Sequence, residues 1–112
     1  MSLGIRTDHE DGWVILSARG DLDLGGAPPM RSAVIEALAG GTNRLRIDLT
    51  AIDVIDSTGL GVLIGALRRT LSVGGELRLQ GLRSHHHDLF DLVGLDAVFA
   101  IEPALMIDSS PQ

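Results

Sequence analysis

Leu45-Arg46-Ile47-Asp48-Leu49, followed by Val54-Ile55-Asp56-Ser57-Thr58-Gly59-Leu60-Gly61, is the stretch that decides the fold. Leu45, Ile47 and Leu49 alternate with Arg46, Asp48 and Thr50 at the two-residue period of a strand. The chain then turns after Thr50, and Val54-Ile55 reads as a short extended piece. From Ser57 the period changes. Leu60, Leu63, Ile64, Leu67 and Leu71 fall on one side of a helix that runs to about Ser72. Arg68 and Arg69 sit near its C-terminal end, where the helix dipole favours positive charge. Gly61 and Gly65 are spaced to leave a groove open to another backbone, and Gly74-Gly75 stops the helix.

The same alternation extends in both directions. Upstream, Trp13 to Ala18 is a continuous apolar run bounded by Asp11-Gly12 and Gly20, which predicts a buried strand. A short strand over Gly4 to Thr7 can pair with it through a turn at Asp8 to Gly12. The loop Gly20 to Gly26 leads to Pro28-Pro29, a helix start, since the first turn needs no amide donor there. Met30, Ala33, Val34, Ala37 and Leu38 form that helix's apolar stripe, and Gly40-Gly41 ends it. Downstream, Leu77 to Gln80 predicts another strand. Ser84 reads as a cap for a helix ending at Gly94. Val98 to Ile101 reads as a last short strand, and Pro103 to Ile107 as the opening of a final helix before a frayed tail.

Strands alternating with helices imply an α/β fold with right-handed crossovers. The expectation is a single domain over residues 1–112. Its sheet has four or five mostly parallel strands, with Trp13 to Ala18, Leu45 to Leu49 and Leu77 to Gln80 as neighbours, and three to four helices accompany it. Loops at the C-terminal ends of such strands are the usual functional edge. Gly20 to Gly26 and Asp56 to Gly59 fall there.

Composition narrows the function. With 112 residues the chain fits one domain, and a core without staples is feasible at this size. Cysteine is absent, which excludes disulfides, thiolate-bound zinc and thiol catalysis and suits a reducing compartment. The net charge of -6, with no lysine and only three aromatic side chains, offers nucleic acid neither clustered cations nor a stacking platform. No apolar run reaches the roughly 20 residues of a membrane span, and the N-terminus lacks the pattern of a signal peptide. No membrane insertion is expected, and nothing in the sequence fixes an oligomeric state.

Ser57 is the sharpest residue. A serine between a strand and a helix can cap the helix, its oxygen accepting a bond from a free amide two or three residues on. It can equally accept phosphate, because a phosphate at a helix N-terminus meets free amides and the positive end of the dipole. Asp56, Asp21 and Asp23 would border that phosphate and repel it. A hydrolase elbow needs Gly-x-Ser-x-Gly, and here Ile55 stands where the first glycine belongs. Gly20-Asp21-Leu22-Asp23 matches the paired aspartates that share magnesium in some phosphoryl-transfer enzymes. However, no basic clamp or P-loop accompanies it, and a solvated acidic turn or a protein-binding edge fits better. His85-His86-His87 cannot close on one ion, since adjacent helical side chains point about 100° apart. A solvated first turn, sensitive to pH near neutrality, is the expectation there. No metal and no cofactor are expected, and Trp13 reads as core.

The ordered set Gly20-Asp21-Leu22-Asp23, Ala27-Pro28, Leu45 to Leu49, Ile55-Asp56-Ser57-Thr58-Gly59-Leu60-Gly61, Gly74-Gly75 and Leu92-Val93-Gly94-Leu95 resembles the STAS domain, of the anti-sigma factor antagonist type. The resemblance covers about residues 5 to 102. It implies a cytoplasmic binding module and no enzyme. Ser57 would be phosphorylated by a partner that is both an anti-sigma factor and an ATP-dependent serine kinase. The unmodified antagonist binds that kinase and frees a sigma factor, the phosphorylated form lets go, and a metal-dependent serine phosphatase restores it. Asp21, Asp23, Asp56, Thr58 and Gly59 would face the partner. Other STAS domains act as scaffolds in stress-signalling assemblies or as accessory subunits of membrane transport systems without this switch. The histidine run departs from the basic or mixed start that family members often carry at their third helix.

Overall fold

The computed structural model describes residues 3–102. Its elements, in chain order, are β1 (Gly4–Glu10), β2 (Trp13–Leu22), α1 (Ala27–Ala39), β3 (Arg44–Ile55), α2 (Ser57–Ser72), β4 (Glu76–Gln80), α3 (Ser84–Leu92), a 3-10 turn over Leu95–Ala97 and β5 (Ala100–Ile101). The strands form one sheet in sequential order, β1-β2-β3-β4-β5. β1 runs antiparallel to β2 and every other pair is parallel, so the three expected neighbours are parallel strands side by side. Two successive crossovers in one direction, which in parallel sheets share one hand, put α1 and α2 on the same face, where they touch each other.

That face holds the core. Val14, Leu16 and Ala18, then Leu45, Ile47 and Leu49, then Leu77 and Leu79 point toward Met30 and Val34 of α1 and Leu60, Leu63 and Ala66 of α2. Phe90 of α3 completes it, with its ring 5.8 Å from that of Phe99. On α2 the buried face is Gly59, Leu60, Val62, Leu63, Ala66 and Thr70, with Thr70 Oγ1 donating to the Ala66 carbonyl at 2.8 Å. The stripe therefore lies rotated from the one read in the sequence: Leu67 is half-buried and Leu71 exposed. Arg68 and Arg69 are exposed.

The opposite face of the sheet is polar. Trp13 is buried there, beneath arginines and outside the helix-side core. The guanidinium carbons of Arg44 and Arg46 lie 4.6 Å from its ring centroid and that of Arg78 lies 5.5 Å away. Stacked guanidinium groups shield the indole from water, and Glu102, 3.2 Å from the buried Nε of Arg46, balances that charge.

β3 departs most from the sequence reading. There is no turn after Thr50; the strand is continuous for 12 residues. Its register against β2 slips between Ser17 and Arg19 and again between Gly20 and Asp21. Its buried positions are accordingly Leu45, Ile47, Leu49, Ile52 and Ile55, spaced by two and then by three. The bulges that re-aim these side chains break the alternation that marks a strand in sequence. β2 likewise runs on to Leu22, so Asp21 is a strand residue and the loop shortens to Asp23 to Gly26. The final helix expected from Pro103 lies outside the described residues.

Candidate functional site

β2 and β3 end together, with Asp21 paired to Val54 and Leu22 to Ile55. The amide of Asp56 donates to the Leu22 carbonyl at 3.4 Å, which ties the start of α2 to the end of β2. Gly59 seats the helix there. A Cβ at that position would collide with the Leu22 carbonyl oxygen, so only glycine permits the approach.

The helix cap is Asp56, not Ser57. The Asp56 carboxylate accepts the Gly59 amide at 3.0 Å, and its carbonyl accepts the Leu60 amide at 2.9 Å. Ser57 is the first helical residue and exposed, and its hydroxyl makes no hydrogen bond among the described residues. The cap reading of this serine is therefore replaced by its neighbour, because an Ncap residue needs the extended backbone that Asp56 has (φ -108, ψ -171). With Gly59 and Leu60 taken, the amides of Ser57 and Thr58 are the first-turn donors left over. Thr58 is half-buried.

The acids expected to border Ser57 have different local duties. Asp23 accepts the amides of Gly25 and Gly26, both at 3.1 Å, and its carbonyl accepts the Ala27 amide at 2.9 Å, so it folds the loop into α1. Asp21 is half-buried at the strand end. Two exposed apolar side chains that the sequence reading passed over lie in the same segments: Leu24, 76% exposed, and Val54, 49% exposed. An exposed leucine in a loop gives no sequence signal until its neighbours are known.

The other feature missed in the sequence is where α3 begins. β4 stops pairing at Asp48–Gln80, so the last turn of β3 has no strand on that side. Side chains from the start of α3 supply donors instead. Arg83 Nε donates to the Thr50 carbonyl at 3.1 Å, and His86 Nε2 lies 3.1 Å from the Asp53 carbonyl. Arg83 also reaches the Asp53 carboxylate at 3.4 Å. Gly81, at φ 73, lets the chain pass Thr50, where a Cβ would strike the threonine hydroxyl. The triple histidine is thus not a uniformly solvated turn. His85 is exposed and His87 half-buried, but His86 is 3% exposed and its Nδ1 is buried without a partner among the described residues. Burial pushes the His86 pKa below the ordinary 6.5. The positive character of His85 and Arg83 pushes the same way, against the bond to the Asp53 carbonyl and the Asp53 carboxylate. Ser84, expected to cap α3, is its first residue; Arg83 occupies the cap position and makes no side-chain cap bond.

Among the described residues no group of three His, Asp or Glu side chains is placed to hold a metal ion, and no helix is long and apolar enough to cross a membrane.

Comparison with known proteins agrees with this geometry. The family model for the STAS domain matches residues 4–106. The anti-sigma-B factor antagonist of Bacillus subtilis (strain 168) is 30% identical over 101 residues, covering 90% of this chain and 92% of the relative. The crystal structure of an anti-sigma factor antagonist from Mycobacterium paratuberculosis superposes with a TM-score of 0.81 at 25% identity, covering 92% of this chain and 87% of the other. The Bacillus cell fate determinant SpoIIAA in its phosphorylated form shares the fold, with a TM-score of 0.68 at 19% identity over 89% of this chain and 92% of the other. A mixed five-stranded sheet with its helices on one face, a strand–Asp–Ser–helix corner and a match along nearly the whole chain place this protein in the STAS domain family, among the anti-sigma factor antagonists.

Proposed function

We propose that this chain works as a phosphorylation-switched antagonist with Ser57 as the acceptor, and that it catalyses nothing itself. The observation that carries the reading is the Ser57 hydroxyl: exposed, without a hydrogen bond among the described residues, and set at the first position of α2 beside two amides that none of those residues takes. The partner is an anti-sigma factor serine kinase of the cytoplasm, where ATP is available. In the transfer, Ser57 Oγ forms the new bond to the γ-phosphorus, the bond from that phosphorus to the bridging oxygen of ADP breaks, and the hydroxyl proton passes to a base of the kinase. This chain supplies the nucleophile and its placement. A metal-dependent phosphatase reverses the step.

Leu24 and Val54 give the kinase an apolar foothold on either segment, and Asp21, Asp23, Asp56 and Thr58 form the rest of the contact; Gly59, expected to face the partner, is buried against Leu22 and serves it only by seating the helix. Phosphorylation adds about -1.5 to -2 charges at pH 7 to this acidic corner. Against one partner carboxylate about 6 Å away, a dianion costs roughly 1.4 kcal/mol at water's dielectric and 5.5 at an effective value near 20. That is at least tenfold in affinity.

The test is intact-mass measurement after incubation with ATP and each candidate kinase of the same genome, followed by calorimetry. A gain of one phosphate that Ser57→Ala abolishes, with weakened binding of the phosphorylated form, is the expected result. Equal affinity of the unmodified and phosphorylated forms would instead make the domain a scaffold or accessory subunit without a switch.

A further inference from the structure

Once β4 has ended, the carbonyl groups on the outer edge of β3 at Thr50 and Asp53 take their donors from the side chains at the start of α3. His86 serves the carbonyl of Asp53, three residues before the Asp56 cap. A carbonyl only accepts, so the imidazole must present Nε2–H, which leaves Nδ1 as a bare lone pair in a buried position. The neutral ring satisfies this arrangement. A second proton on Nδ1 would place a buried N–H where none of the described residues offers an acceptor.

We infer that His86 is a pH-sensitive positioning residue for Ser57: as the neutral ring it clamps the end of β3 to the start of α3, and when protonated it releases that clamp. The charged groups facing it are His85, with ring centroids 3.9 Å apart, Arg83 and the Asp53 carboxylate. The first two oppose a further positive charge, and the third offsets part of that opposition. Release leaves Asp53 held only by exposed contacts, Arg83 on its carboxylate at 3.4 Å and His85 Nε2 at 3.5 Å from its carbonyl, and so loosens the segment Val54-Ile55-Asp56 that fixes Ser57 at the first position of α2. Acidification therefore loosens the phosphoacceptor corner while the rest of the sheet holds.

The sign follows from linkage. The closed form holds the ring neutral and the open form lets it titrate near its ordinary value, so the clamp is complete above about pH 6.5 and weakens as pH falls below it. At pH 5.5 the open population rises by up to about tenfold over its value at pH 7.5.

The inference rests on Ser57 being the acceptor, but its test needs no kinase. Amide hydrogen exchange of the full chain, corrected for intrinsic rates, is read at pH 7.5 and 5.5. We expect a three- to tenfold loss of protection at Asp56, Gly59 and Leu60 and none at Leu16 or Ile47. His86→Gln, which keeps a donor for Asp53 but cannot titrate, flattens the profile, and His85→Gln leaves it intact. A flat wild-type profile, an equal change at Leu16 and Ile47, or a His86→Gln profile matching the wild type would overturn the inference. Should His86→Gln not fold, histidine-labelled NMR of the wild type decides it. The Gly59 amide shift should then follow the His86 midpoint, and a midpoint shared with His85 or His9 would overturn the assignment. Failure here leaves the kinase mass shift untouched, and failure of that shift leaves the exchange profile untouched.

Discussion

Replacing the glycines of α2 by alanine, one at a time, should split them into two classes. A Cβ added at Gly61 or Gly65 meets nothing within 4 Å beyond the helix itself. At such a site alanine gains helix propensity over glycine, about 0.8–1 kcal/mol, chiefly because the unfolded chain has less freedom to lose. For a chain of 112 residues the unfolding entropy near the midpoint is about 0.24 kcal/mol per kelvin, so each substitution should raise Tm by roughly 4 °C. Gly59 sits in the same helix and behaves in the opposite way. Its Cβ would collide with the Leu22 carbonyl, a backbone atom that cannot swing aside as a side chain could. Relief requires the end of β2 to move away from the start of α2, a strain of about 1–3 kcal/mol that outweighs what propensity returns at the first turn. Urea denaturation of the three single variants, with m-values compared to confirm that each unfolds as one unit, reads both effects. Loss of stability in both Gly61→Ala and Gly65→Ala would mean that those positions are packed. Unchanged stability in Gly59→Ala would mean that α2 does not abut β2, and the geometry proposed for Ser57 would go with it.

The cap assignment predicts that Asp56→Ala lowers stability by about 0.5–2 kcal/mol while Ser57→Ala changes it by less than about 0.5, a contrast that thermal melts of the two variants would settle. The rotated face of α2 predicts that Leu63→Ala costs about 2–5 kcal/mol and Leu71→Ala less than about 0.5; similar melts for both would refute the assigned face. Asp48 titrates below its ordinary 3.8: burial pushes it up, but bonds from the Thr50 hydroxyl and amide and from Gln80, with the charge of Arg6, more than offset that. Its contribution is therefore complete above about pH 4 and lost as pH falls through the lowered value, so Asp48→Asn should flatten the acid limb of the urea midpoint measured from pH 5 to 2.5.

How far the sequence could be read depended on whether a feature was local. Leu45, Ile47 and Leu49 alternate because neighbouring positions of a strand face opposite ways, and that needs no partner to be visible. The continuity of β3 through Thr50 was hidden because its bulges are answers to the register of β2, and no residue between Thr50 and Ile55 announces them. The rotation of α2's buried face has a similar origin. Leu71 satisfies the helical period, but the face that α2 buries takes in Val62, Ala66 and Thr70, small side chains that a search for a leucine stripe passes over. Ser57 was legible as a strand–helix corner, and the aspartate beside it took the cap because its backbone is the one left extended.

By itself, then, the sequence determined the α/β alternation, the parallel strands, the corner at Asp56-Ser57 and the family, since each follows from residue periods and an ordered set of short motifs. Only the tertiary structure decided which groups at that corner remain free. Asp56 accepts the Gly59 amide and Asp23 those of its own loop, while the exposed Ser57 hydroxyl bonds to none of the described residues. The histidine run shows the same limit. Its three members are alike in sequence, and only the ending of β4 beside β3 gives His86 a carbonyl to serve and shuts it away from water.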